Sequence, residues 1–278
     1  MYLVLARASA GLTGIWSFGT GQSGRRMSLY VVIFVSASAA ISTYAGMGLA
    51  TGNLAFAQGD VAAGLLGGTL NFLGTILLLK ALASGKMGVA TGVSTAYVLI
   101  PLGYSLILGE SISALAALGT MTILAGLVLF CLPGMKAGRG GSGSLMTIVF
   151  ALGTAVLFGL AIVVLDMGSR ANIYGTLTMS QVPQVTVTLI VVLTGGMLGG
   201  LKGRDAGILV GSGVALGLAN LAFYTAAVGS NVGIVSVLGS LNPIATALLA
   251  FIFLKEALAR TEILALVVVL AGTALVLA

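Results

Sequence analysis

The chain has 278 residues, of which only 6% are charged and 59% are hydrophobic, with a mean hydropathy of +1.19; a soluble domain carries roughly 25% charged residues, so water is excluded as the main solvent of this surface. The net charge of +6 comes from basic residues scattered singly or in pairs between apolar runs, a loop pattern that excludes a nucleic-acid-binding face. One cysteine, Cys131, and no histidine exclude a disulfide framework, a cysteine metal site and most general-base chemistry.

Apolar runs bounded by charge, Gly, Pro or Asn predict ten membrane spans, at roughly 2–20, 29–50, 61–82, 87–108, 113–132, 145–165, 175–199, 207–228, 232–254 and 261–278. The first span is weakly apolar, carrying Arg7, Trp16 and many Gly, Ser and Thr residues, and it lacks a small-residue cleavage pattern, so no cleavable signal is expected. In the third span Asn71 lies near the middle and Lys80 near one end. An amide in hydrocarbon needs partners, so Asn71 either bonds a neighbouring helix or faces a watered cavity. Lys80 either snorkels to the interface or stands at the rim of a central path.

The fourth span carries Tyr97 and Pro101, and Glu110 follows it. Between the fifth and sixth spans lies GMKAGRGGSGS, Gly134 to Ser144, whose composition is that of a flexible linker. Asp166 and Arg170 fall in the connection to the seventh span, which contains Pro183. Asn220 sits near the middle of the eighth span, with Tyr224 one turn on; like Asn71, it bonds a neighbour or faces a cavity. In the ninth span Pro243 cannot donate to the ladder, so the helix bends or opens there, with the Asn242 amide beside it. That bend either serves packing alone or also lines a path. Glycines recur four apart at Gly48/Gly52, Gly64/Gly68, Gly88/Gly92, Gly195/Gly199, Gly213/Gly217 and Gly229/Gly233, spacing that lets helix backbones approach closely. None precedes the Lys-Ser/Thr of a nucleotide-binding loop, so ATP-driven transport is not expected from this chain.

Sliding the chain against itself by about 146 residues matches the two halves without gaps. Leu108 and Glu110 fall on Leu254 and Glu256, and Leu124-Ala125-Gly126 falls on Leu270-Ala271-Gly272. Ser84, Val89, Ser94, Leu118 and Leu129 also meet identical residues. Because each half holds an odd number of spans, the halves must enter the bilayer in opposite directions. The expected fold is therefore all-α, with residues 1–133 and 145–278 as two inverted five-helix repeats joined by 134–144. Glu110 and Glu256 stand at matching helix ends, where each carboxylate either accepts amide bonds from the next helix or couples an ion.

The stretch Tyr224 to Gly233 (YTAAVGSNVG), then Leu241-Asn242-Pro243, Glu256 and Leu270-Ala271-Gly272 resembles the EamA-type repeat of the drug/metabolite transporter superfamily. The first half carries a looser copy, with Glu110 and Gly126 in place but Tyr97 where the proline would stand. The resemblance implies a ten-helix transporter whose substrate path runs between the halves, with helices three, four, eight and nine central. On those helices the expected substrate-binding residues are Asn71, Tyr97, Asn220, Tyr224, Asn242 and Pro243, with Lys80 near one mouth and Trp16 a further candidate.

A secondary transporter of a small metabolite, amino acid or xenobiotic, working by alternating access, is the leading reading. A channel-like facilitator and a membrane-embedded lipid enzyme are the others, the enzyme disfavoured by six scattered carboxylates without histidine. No cofactor, no metal and no nucleic-acid partner are expected, only the lipid bilayer and a small solute, with the protein a monomer or homodimer in a plasma membrane, such as a bacterial or archaeal inner membrane. None of the six acids falls at a predicted span centre, so coupling is expected to be facilitative or by exchange rather than by a midplane proton relay. The basic residues Arg25, Arg26, Lys86, Lys136, Arg139, Lys202, Arg204, Lys255 and Arg260 fall on odd-numbered loops and only Arg170 on an even one. That bias predicts both termini outside, whereas the resemblance implies both inside.

Overall fold

The computed structural model describes residues 2–24, 26–84, 93–110, 112–136, 143–196, 201, 203–254 and 260–277. Among them the chain is all helical: α1 (Tyr2–Gly24), α2 (Leu29–Ala50), α3 (Gln58–Ser84), a 3₁₀ turn (Thr95–Val98), α4 (Leu99–Ile107), α5 (Ala114–Lys136), α6 (Gly143–Thr194), α7 (Gly203–Val228), α8 (Val232–Gly239), α9 (Asn242–Leu249), a π turn (Ala250–Leu254) and α10 (Arg260–Leu277). Five stretches of the described residues are long and apolar enough to cross a membrane: Leu29–Ala50, Gln58–Leu78, Leu145–Thr194, Gly203–Val228 and Val232–Phe253. Large apolar side chains such as Leu49, Ile107, Leu145 and Leu270 stand exposed, as they must on a surface solvated by lipid rather than water.

The 52 residues of α6 would reach about 78 Å if straight, more than twice a hydrocarbon core. Asn172 breaks it, with φ −148° and ψ 107°, into limbs 143–171 and 173–194. Its Oδ1 accepts from the Gly175 N–H at 2.7 Å, and its Nδ2 donates to the Asn53 carbonyl at 2.8 Å. The connection expected over residues 166–174 is thus a single capping residue, and Asp166 and Arg170 are helical rather than in a loop. Of the expected linker, residues 134–136 end α5 and 143–144 begin α6, while 137–142 lie outside the described residues.

The tightest packing runs along glycines. Gly67 and Gly74 of α3 meet Leu165 and Phe158 of the first α6 limb, and Gly64 and Gly68 meet Thr176 and Ser180 of the second. On α7, Gly213 and Gly217 lie against Ser36 and Thr43 of α2. Gly119 and Gly126 of α5 pack on Gly272 and Val269 of α10, an outer pair. Gly14 of α1 meets Ala245 of α9, Gly19 meets Ser212 of α7, and Gly233 of α8 meets Leu102 of α4. With lipid as apolar as the side chains, such close backbone approach is what holds helices together. Gly88, Gly92 and Gly199 lie outside the described residues.

Candidate functional site

These packings leave a cavity of about 250 Å³ in the middle of the bundle. Among the described residues its wall takes members of α1, α2, α3, the 3₁₀ turn, both limbs of α6, α7, α8 and α9, and none from α4, α5 or α10. The polar character of α1 is explained here: Ser9, Thr13 and Trp16 face the cavity, so the first helix is weakly apolar because one side of it is turned away from lipid.

Two breaks in regular helix border the cavity. Tyr97 lies in the 3₁₀ turn, and Gly239 and Asn242 flank the interruption at Ser240 and Leu241. Proline chemistry accounts for both. Pro101, lacking an N–H, cannot bond the Tyr97 carbonyl four residues before it, and Pro243 cannot bond that of Gly239. Each proline therefore frees a carbonyl on a residue that lines the cavity. Pro243 itself falls in the first turn of α9, so the opening lies just ahead of the proline, where its missing donor is felt.

Among the described residues five carboxamides line the cavity: Asn71, Gln181, Gln184, Asn220 and Asn242. Gln184 donates to the Gln181 Oε1 at 2.7 Å, and Gln181 donates to the Ser180 hydroxyl at 3.4 Å. Asn220 Nδ2 donates to the Tyr44 hydroxyl of α2 at 2.8 Å. Both readings of Asn220 hold together, since it ties two helices and borders the cavity. Rings line the wall in two edge-to-face pairs, Tyr97 with Phe158 at 6.4 Å and Phe223 with Tyr224 at 5.0 Å. The indole Nε1 of Trp16 is buried without an acceptor among the described residues. Among the described residues lining the cavity none is charged.

Of the residues expected to bind substrate, Asn71, Tyr97, Asn220, Tyr224 and Asn242 share this wall, as does Trp16. Lys80 is not among the described lining residues; its Nζ lies 6.0 Å from the centre of the Phe150 ring on the first α6 limb. Pro243 acts through the backbone break, in the first turn of α9. Gln181 and Gln184 were not picked from the sequence, although the rule applied to Asn71 and Asn220, that an amide in hydrocarbon needs partners, selects them equally.

Outside the cavity, a charged group joins α4 to α6. Arg170 Nε donates to Asp166 Oδ2 at 2.9 Å, and its Nη2 lies 3.7 Å from Glu110 Oε1. Asp166 is 0% exposed and Arg170 41%; Asp166 Oδ1 and Glu110 Oε2 are buried without a hydrogen-bond partner. The amide-accepting role expected of Glu110 is taken by Ser113, whose hydroxyl accepts from the Ala116 N–H at 3.1 Å. Glu256 lies outside the described residues.

Residues 145–278 match the sequence pattern of the EamA-like transporter family. A crystal structure of a protein shares the fold, with a TM-score of 0.79 at 18% identity over 99% of this chain and 95% of that one. No curated protein matches the sequence.

Proposed function

We propose that the chain, whose residues 145–278 match the EamA-like transporter family, carries a small solute through the central cavity by alternating access between two inverted five-helix repeats. In this reading the ten spans are α1, α2, α3, the 3₁₀ turn with α4, α5, the two limbs of α6, α7, α8 with α9, and α10.

The observation that carries the proposal is the pair of helix breaks at the cavity. The register that relates the halves, about 146 residues, sets the 3₁₀ turn Thr95–Val98 on residues 241–244, where the α8–α9 interruption lies, and Ser94 on Ser240. Broken helices at corresponding positions of two halves are where inverted-repeat transporters hold their solutes, because freed backbone groups become ligands there. The packing partners support the same symmetry. Exchanging the halves turns the α3 contacts with both α6 limbs into the α7 contacts with α1 and α2, and it leaves the α5–α10 pair unchanged. The ion group Glu110–Arg170 then bridges one repeat to the other at the end of the bundle shared by Asn53 and Asn172.

The proposed solute-binding residues are Asn71, Tyr97, Asn220, Tyr224 and Asn242. With no acid or base on the described wall, movement is proposed to be facilitative or by exchange, since a coupled proton needs a titratable group that both sides can reach. The membrane is proposed to be a plasma membrane. The test is transport in proteoliposomes with and without a proton gradient, using wild type and Tyr224→Leu. Solute movement that is lost in the variant, and is not driven uphill by the gradient alone, supports the reading; movement indifferent to Tyr224→Leu refutes the site, and gradient-driven accumulation refutes the coupling.

A further inference from the structure

Resting on the transporter reading, the chemistry of the cavity wall narrows the class of solute. We propose that the cavity binds an uncharged, planar nitrogen heterocycle of nucleobase type, held by carboxamide edges and aromatic faces.

The first constraint is electrostatic. No charged side chain lines the described wall, so a solute with net charge would leave water for a site offering it no counter-ion, which is strongly disfavoured. The ends of α8 and α9 at Ser240–Leu241 offer only partial charges of about half a unit each, at one place on the wall. They do not supply separate partners for both ends of a zwitterion.

The second constraint is the hydrogen-bonding inventory. Asn71 and Asn242 border the cavity with their side-chain amides uncommitted among the described residues, and Asn220, after its bond to Tyr44, keeps its Oδ1 and one N–H there. Each carboxamide presents a donor and an acceptor side by side in one plane. That edge is the complement of an amino group beside a ring nitrogen, or of a ring N–H beside a carbonyl, the pairing by which Asn and Gln read adenine. Trp16 adds its indole ring to the same wall. Tyr97 and Tyr224 add ring faces on which a flat heterocycle stacks, as proteins do with unpaired bases.

Size agrees. A cavity of about 250 Å³ has room for about eight waters at liquid density, which suits a one- or two-ring base and not a nucleoside phosphate.

Trp16 is the only tryptophan in the chain, so its emission reports on the cavity directly. Purified full-length protein would be titrated with adenine, uracil, phenylalanine, benzoate and tetramethylammonium, reading Trp16 fluorescence, and the same compounds would be offered to proteoliposomes. The expected result is a saturable change with adenine or uracil alone, weakened at least about tenfold in Asn71→Leu and Asn242→Leu. A saturable response to phenylalanine, benzoate or tetramethylammonium with none to the bases overturns the proposal, as does silence from every compound. The wild-type panel decides this even where a variant fails to fold. Adenine that binds but is not moved leaves the solute class standing and fells the transporter reading; phenylalanine that is moved while bases neither bind nor move does the reverse.

Discussion

Replacing Gly68 by alanine tests whether α3 and the second limb of α6 meet as described, and with them one wall of the cavity. A Cβ at Gly68 would lie 2.6 Å from the Ser180 carbonyl carbon and 2.7 Å from its Cα. Ordinary contact begins near 3.4 Å, so relieving the carbon contacts alone would part the two helices by about 0.8 Å, and the Ser180 carbonyl oxygen lies closer still. These are backbone atoms of a helix, which cannot rotate aside as a flexible side chain would. Overpacking costs typically 1–3 kcal/mol, and backbone contact puts this site at the upper end, about 3 kcal/mol. Alanine returns about 1 kcal/mol in helix propensity, leaving a net loss of about 2 kcal/mol. Taking the soluble-domain conversion of about 2–4 °C per kcal/mol, the melting midpoint in detergent should fall by roughly 4–8 °C. Gly46→Ala, where a Cβ meets nothing within 4 Å, should instead hold or raise the midpoint by a gain of about 0.5–1 kcal/mol. Because Ser180 lines the cavity, Gly68→Ala protein should also lose solute binding read at Trp16. Equal melting of the two variants would refute the packing on which the cavity rests.

Arg170→Met should destabilise the protein by about 3 kcal/mol, since it leaves the buried Asp166 carboxylate without a counter-charge and beside Glu110; Asp166→Asn should cost less, because Arg170 is partly exposed and keeps Glu110. The order of thermal midpoints in detergent checks this, and the reverse order contradicts it. Asn220→Leu should weaken both solute binding and stability, the latter by about 1–3 kcal/mol, because the Tyr44 hydroxyl at 0% residue exposure loses its partner. Tyr224→Leu, with no hydrogen bond to lose at its hydroxyl among those described, should affect transport more than stability, as paired melting and uptake assays would read. A reporter fused after Ala278 should read outside the cell if the basic bias of the odd-numbered loops governs insertion; a cytoplasmic signal would overturn that orientation.

Much of this fold was legible because hydropathy in a membrane protein is a strong, local signal. The described ends of α2, Leu29 and Ala50, coincide with the boundaries read from the apolar run alone. What escaped was the difference between a loop and a capped kink: Asp166 and Arg170 look like loop residues because charge ends an apolar run, yet they pair with each other inside α6. Five of the seven expected site residues reach the cavity because an amide or phenol in mid-span has few other places to go. Lys80 differs from them because a long stem lets its ammonium leave the span, one of the two readings open from the sequence, and its Nζ rests near Phe150. Gln181 and Gln184 obey the rule that selected Asn71, but their helix begins at Asn172, and a reader expecting a span from residue 175 sees them near its outer turn rather than beside the cavity.

The central claim is that the cavity opens in turn to both sides of the membrane. Its most direct measurement replaces Cys131, the single native cysteine, by serine and introduces Ser180→Cys on the cavity wall, then applies a membrane-impermeant thiol reagent from each side of sealed vesicles. Alternating access predicts modification from either side, slowed from both by bound solute. Modification from one side only, under every solute and gradient condition, would contradict it.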